Sequence, residues 1–381
     1  MKIGILTQPL QTNYGGLLQA YALQIVLKKM GHDVLTIDVQ KRDPSFIIKG
    51  LSIIKRFIRS VSNSNTVIRA WPTKKEKKII GQHTSRFIKE NIATTTQMFS
   101  IKYNSHIKNY KFEAYIVGSD QVWRPSYSIS ILDYFFNFLN KDDKAKRIAY
   151  AASFGNDDWE FSIKETDDVK ELIKRFDFIS VREDSAVNIC NEYLKVDAEW
   201  VLDPTMLLLK DEYIALIEKD NISKSKGELM CYILDGSHEK DKIIQGISKK
   251  LSLKLNSVIA EAKFSDVGKS GIDKCIFPPI TEWLRGFLDS KFVITDSFHG
   301  TVFSIIFNKP FITIANTERG ITRFTSLLKM FELEDRLITT DKEFDFNKLN
   351  QKIDYLKVNR ILEKEKKRAL VLLKNSICNE N

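Results

Sequence analysis

Short apolar runs separated by polar turns recur along the chain, and between them the apolar positions take up a three-to-four residue spacing. Lys2–Thr7 reads as a first strand. The loop QTNYGG follows it, and then Leu17–Met30, whose Leu, Ala and Ile spacing predicts a helix lying on a sheet. Gly31 ends that helix and Val34–Val39 resumes as a strand with Asp38 near its end. Further buried strands are expected at Ala114–Gly118, Arg147–Phe154, Phe176–Val181 and Trp200–Thr205, with Ser185–Leu194 helical. The polar stretch Asp220–Gly227 predicts a domain boundary. Beyond it the alternation restarts, with strands at Leu229–Leu234, Asn256–Ile259, Cys275–Pro278, Phe292–Thr295 and Pro310–Ile314. Thr281–Leu288 and Gly300–Phe307 are helical segments between them, and the tail from Phe344 to Lys374 reads as a charged amphipathic helix that packs back across the first half. The pattern is α/β: a Rossmann-like domain over 1–220, a second over 221–340, and a helical tail over 341–381.

One region departs from this alternation. Phe46–Val61 places Ile47, Leu51, Ile54, Ile58 and Val61 on one helical stripe, with Lys49, Lys55, Arg56 and Arg59 on other faces. Ser62–Thr66 reads as a loop and Lys74–Glu90 as a second basic helix, making a helical insertion at about 41–110. Residues 41–90 hold 13 Lys/Arg and 3 Asp/Glu, an excess of 13 − 3 = 10 that equals the net charge of the whole chain, +10. Two readings stand: a helix packed on the domain with its charges in water, or a basic amphipathic helix on an anionic membrane surface. A general nucleic-acid binder more often carries its basic residues through its folded parts, whereas here the basic excess is confined to this one region.

Composition narrows the class without changing it. At 381 residues, 43% hydrophobic and 28% charged, the chain suits two globular domains, and no apolar run approaches a bilayer span. MKIGILTQPL is followed by no cleavage site and reads as a strand rather than a signal peptide. The four cysteines are far apart and form no CxxC pair, which points to reduced thiols in a cytoplasmic setting.

Candidate chemistry gathers where strands end. Phe292–Asn308 runs from an apolar strand through Asp296 and Ser297 to His299, at the start of a helix opened by Gly300 and Thr301. Such a helix N-terminus offers unpaired N–H groups to an anion. Asp120 follows another strand in GSDQVW, Ser153 another, and Arg182 a third, while Arg319 and Arg323 follow the last. The Asn13–Gly16 loop, with Tyr14 and the Gly15-Gly16 pair, can place backbone N–H groups near a phosphate or make a tight helix start. Two guanidiniums and an imidazole match a phosphate plus a carboxylate. Each residue also has a plainer reading: Arg182 pairing with Glu183 or Asp184, Asp296 capping the helix that follows, and His299 as a hydrogen-bonded structural residue. No GxSxG elbow is present, and His299 has no neighbouring second His or Cys for a metal site.

NYGGLLQAYAL, VGSDQVW, YAASFG, SVRED, VLDP and TDSFHGTVFSIIFNKPF stand here in the order seen in the polysaccharide pyruvyl transferase family, which the chain resembles from about Lys2 to about Leu328. The resemblance implies a GT-B-like fold, two Rossmann-like domains facing a cleft. It implies transfer of a pyruvyl group from phosphoenolpyruvate onto two hydroxyls of a sugar as a cyclic ketal, with no cofactor beyond that donor. By position, Arg182, His299 and Arg319 match residues that hold phosphoenolpyruvate, and Asp120 the acid–base carboxylate. Where many members have Arg two residues before the histidine, this chain has Ser297. The implied acceptor is a lipid-linked oligosaccharide precursor of a cell-surface polysaccharide, met by a cytoplasmic enzyme at the inner face of the membrane. The alternatives are a GT-B glycosyltransferase using a nucleotide sugar, and a non-catalytic binding protein acting through the basic block.

Overall fold

The computed structural model describes residues 1–62, 67–101, 105–128, 130–315, 320–341 and 344–378. Most of the expected Ser62–Thr66 loop and all of Arg319 lie outside the described residues. The first half carries six parallel strands: β1 (Lys2–Leu6), β2 (Asp33–Thr36), β3 (Ala114–Val117), β4 (Lys146–Ala152), β5 (Phe178–Val181) and β6 (Glu199–Trp200), in the spatial order β2-β1-β3-β4-β5-β6. The second carries β7 (Leu229–Tyr232), β8 (Leu255–Asn256), β9 (Phe292–Thr295), β10 (Phe311–Ile314) and β11 (Leu337–Ile338), ordered β11-β10-β9-β7-β8 and also parallel. Both sheets place their first strand between the second and third, the doubly wound order, so the halves are two Rossmann-like units of a GT-B-like fold.

The central strands are apolar because both faces are covered: β3, β7, β9 and β10 are buried at every position. One core runs through both halves and includes Tyr14, Leu23, Trp283, Phe303 and Leu373. Separate cores lie under the outer faces, around Trp123 and Phe135 in the first half and around Ile247 and Ile294 in the second. The tail helix Tyr355–Cys378 puts Ala369, Leu373 and Ile377 into the shared core, and its Arg368 reaches Glu199 and the Trp200 carbonyl of the first sheet.

Several expected elements change. Cys275–Pro278 is not a strand: a 3-10 helix covers Lys269–Cys275, and the next residues run as a connector. Pro278 and Pro279 offer no N–H to a ladder, and the Phe277 N–H donates instead to the Ile80 carbonyl at 3.0 Å. The fifth strand of that sheet is the unexpected Leu337–Ile338. Of Trp200–Thr205 only Trp200 is strand, paired in a two-residue strand with Glu199 before it, because Asp203 and Pro204 open a 3-10 turn. The basic helix over Lys74–Glu90 breaks at Gly81 into Lys74–Ile80 and Gln82–Asn91, the first opened by a Thr73–Glu76 capping box.

The helix expected at Phe46–Val61 is present over Phe46–Ser62, but it does not pack on the protein through its apolar stripe. Lys49, Ser52 and Arg56 are half-buried against the protein, while Ile47, Leu51, Ile54 and Ile58 face outward. Its hydrophobic stripe is on the outside.

Candidate active site

In each sheet the chain reverses direction of winding beside the first strand, between β1 and β3 and between β7 and β9. Loops leaving such a pair diverge and open a crevice at the carboxyl ends of the strands. The two crevices face each other. A cleft of about 320 Å³ is lined by Thr12 and Asn13 after β1, Asp120 and Gln121 after β3, Tyr232 and Leu234 at the end of β7, and Asp296 to His299 after β9, with Arg323 also on its wall. A larger hollow, about 690 Å³, lies beside Met30, Leu208 and Leu370; its wall is mostly leucine and lysine, and none of the strand-end clusters reaches it.

Asp120 holds a left-handed backbone, φ 76°, which Asp tolerates better than most residues. Its Oδ1 accepts the Gln121 N–H at 2.9 Å and its Oδ2 the Asn13 side-chain amide at 3.3 Å, which aims the carboxyl at the start of the helix Tyr14–Lys29. The glycine pair occupies the first turn of that helix. A Cβ on Gly15 would stand 2.1 Å from His299 Nδ1, and one on Gly16 would stand 3.3 Å from Asp120 Oδ2. Gly15 and Gly16 thus let a histidine of the second half and a carboxylate of the first flank one helical turn.

His299 sits in the first turn of the helix Phe298–Ile306. Ser297 is the cap, its Oγ accepting the Gly300 N–H at 3.4 Å. The alternative that Asp296 caps this helix is therefore corrected. Asp296 instead accepts the N–H groups of Leu234 and Asp235, at 2.6 and 3.1 Å, and the Lys240 ammonium at 2.7 Å, tying the β7 and β9 loops together. Gly300 is required by close packing on β9: a Cβ there would fall 2.1 Å from Thr295 Oγ1.

The residue that organises the charged layer is Asp203, in VLDP, which the sequence reading did not single out. It is buried, accepts from Arg182 Nη1 at 2.9 Å, Ser119 Oγ at 2.7 Å and Thr205 at its other oxygen, and lies 3.6 Å from His299 Nε2. Burial alone would raise this carboxyl, but His299, Arg182 and Thr205 outweigh it and hold it well below the usual carboxylate range. A strand-end Asp before Pro was the available signal.

Arg182 is not among the residues lining the cleft. It is buried between Asp203 and Glu183, with its guanidinium carbon 4.2 Å from the centre of the Phe298 ring. Against the cost of burial, Glu183 and Asp203 keep it charged. The plainer reading of Arg182 is thus partly realised, though as a buried pair: Arg182 Nε lies 3.5 Å from Glu183. Ser153 donates to Glu183 Oε1 at 2.5 Å, and burial pushes that carboxyl up. Arg323 is the arginine on the cleft wall; burial first, and Arg182 second, lower it to about 10. Tyr14 turns away from the cleft, donating its hydroxyl to the Pro278 carbonyl at 2.7 Å.

The arrangement offers a carboxylate and an imidazole at one small polar cleft, with a guanidinium and a helix N-terminus on its wall. That combination can bind an anion and move protons next to it.

No curated protein sequence matches the chain. Solved structures similar to it include UDP-N-acetylglucosamine 2-epimerase from Rickettsia bellii (12% identity, 99% of this chain and 98% of that one, TM-score 0.44). They also include UDP-GlcNAc 2-epimerase from Methanocaldococcus jannaschii (11%, 96% and 93%, TM-score 0.49) and MurG from Acinetobacter baumannii (9%, 99% and 99%, TM-score 0.42). These likenesses are too distant to inform the chemistry. The family model for polysaccharide pyruvyl transferase, by contrast, matches residues 13–318. That span starts at Asn13, ahead of the glycine pair, and takes in Asp120, Arg182, Asp203 and His299, so the chain belongs to the polysaccharide pyruvyl transferase family.

Proposed function

We propose that the chain transfers the pyruvyl group of phosphoenolpyruvate onto two hydroxyls of a sugar in a cell-surface polysaccharide precursor, an exopolysaccharide or capsule repeat unit, forming a cyclic ketal. One observation carries this reading: Asp120 of one half and His299 of the other flank the Gly15-Gly16 turn, with Arg323 on the same cleft wall.

The donor carries a phosphate and a carboxylate, and the His299 imidazole, the positive end of the helix Phe298–Ile306 and Arg323 suit them. Protonation of the methylene carbon makes an oxocarbenium at the neighbouring carbon. A sugar hydroxyl adds there and gives up its proton. The second hydroxyl then forms the second C–O bond as the bond to phosphate breaks, and inorganic phosphate leaves with a proton. An acid and a base must alternate on the sugar side, and we assign Asp120 to that work; its place beside Asn13 on the cleft wall supports this. His299 is assigned to the donor phosphate, with Asp203 behind its Nε2. Ser297 supplies its cap and no charge, so donor binding leans on Arg323, on Arg319, and on Arg182 through Asp203 and the Phe298 ring. The acceptor we propose is a glycan on a lipid carrier at the cytoplasmic face of the membrane.

The test is phosphate release from phosphoenolpyruvate with a panel of lipid-linked and pyranoside acceptors. Asp120→Asn and His299→Ala are each expected to lower turnover by about 10²-fold or more. Full ketal formation by both variants overturns the residue assignment. Turnover of a nucleotide sugar with none of phosphoenolpyruvate overturns the reaction.

A further inference from the structure

The helix Phe46–Ser62 is amphipathic in the opposite sense from a helix that packs on a core. Its polar side is turned inward: Arg56 Nη1 donates to the carbonyls of Val67 and Ser265 at 3.0 and 2.9 Å, and Lys49 Nζ lies 3.5 Å from Asp43. Its apolar side is turned out, with Ile47, Leu51 and Ile58 exposed to 75%, 63% and 65% and Ile54 to 58%. Among the described residues, eleven of the seventeen exposed large apolar side chains fall between Ile47 and Phe99, seven of them on this helix. A continuous apolar ridge of this kind marks a surface that something covers.

Charge distinguishes the candidates for its cover. The ridge lies in the segment that holds the whole net charge of the chain. Lys55 is exposed on its flank, and Asp43 bridges Lys49 to Lys77, which keeps the next basic helix, with exposed Lys75 and Lys78, close by. A second copy meeting this face about a two-fold axis would set these lysines against their own counterparts. An anionic lipid surface would set them against phosphates. The helix, 17 residues and about 25 Å long, cannot cross a bilayer but can lie in its interface.

We propose that the Phe46–Ser62 helix seats the chain on an anionic membrane, with Ile47, Leu51, Ile54 and Ile58 toward the acyl chains and the flanking lysines at headgroup level. The site is independent of the cleft, and its test needs no turnover; ketal formation on a soluble acceptor checks the reaction separately.

The experiment is sedimentation of the full chain with vesicles of phosphatidylcholine containing about 30% phosphatidylglycerol, and with phosphatidylcholine alone. The chain is expected to bind the anionic vesicles, more weakly as salt rises, and the neutral ones far less. Ile54→Asp with Ile58→Asp, both outside the fold, is expected to weaken binding by about tenfold or more at unchanged Tm. Lys55→Glu with Lys75→Glu should weaken it by about fivefold or more per lysine. Absence of binding to anionic vesicles at low salt overturns the proposal, as does equal binding by the Ile54/Ile58 variant. So does a dimer in analytical ultracentrifugation that this variant dissolves while vesicle binding is absent, since the face then belongs to a second copy.

Discussion

Gly15 is dictated by a ring from the other half of the chain. Its place in the sequence suggests a phosphate loop or a helix start, and the structure adds a steric reason: the imidazole of His299 packs where a side chain would begin. Gly15→Ala puts a Cβ 2.1 Å from Nδ1, so the ring or the helix must shift. The expected outcome is a fall in kcat of about 10²-fold, since a shift of about 1 Å in a positioned group has that cost, with Tm lowered by only a few degrees. Gly31→Ala, which meets nothing within 4 Å, serves as the control for helix-end strain in the same measurement. Asp203 is the counterpart among charged residues. Nothing in its local sequence says that it will be buried between the arginine that follows β5 and a histidine from the second sheet's helix.

At the scale of elements, the helix Tyr14–Lys29 is the one that belongs to both halves. Its first residue hydrogen-bonds the Pro278 carbonyl and stacks near Tyr232 and Trp283, while its body packs on the first sheet. Tyr14 was expected among the substrate-binding residues; its burial and its hydroxyl's partner assign it to joining the halves, and burial raises that hydroxyl far above its ordinary range. Tyr14→Phe removes one buried hydrogen bond and leaves a carbonyl unsatisfied, which costs about 1–2 kcal/mol. Urea unfolding reads that loss, and kcat is expected to change little. β4 shows a similar coupling of local strain to the site: its register shifts between Ala149 and Ala152, with Ala151 at φ 52°, and the Ser180 hydroxyl bonds both Ala149 O and Ala151 N. The strand ends just beyond that irregularity, at Ala152, and the next residue, Ser153, donates its hydroxyl to Glu183.

For the whole molecule, the charged layer links fold stability to pH. Asp203 is held below its unfolded value of about 4, so the stability it contributes is fully present above that pH and is lost as pH falls toward the folded value. Glu183, raised by burial, works in the opposite direction, costing stability above its folded value and less below it. Asp203→Asn leaves Arg182 with Glu183 as its remaining carboxylate contact, and is expected to cost about 3–5 kcal/mol at neutral pH while flattening the acid limb. Denaturant unfolding across acid pH measures both. An acid limb as steep in the variant as in the parent would show that Asp203 does not carry it.

The alternation of apolar runs and polar turns, read alone, determined the α/β class, the two units, most strands and the positions of the strand-end clusters, because burial on both faces of a parallel sheet forces continuous apolar segments. It also determined that Phe46–Ser62 is an amphipathic helix. It could not say which face of that helix meets the protein, since the pattern is symmetric to turning inside out. Nor could it show that Arg182 would sit behind the Phe298 ring, or that Asp203 would hold it. Those depend on residues far apart in sequence meeting across two sheets. Spacing along a chain carries information about neighbours on one element, and only packing decides which elements face one another.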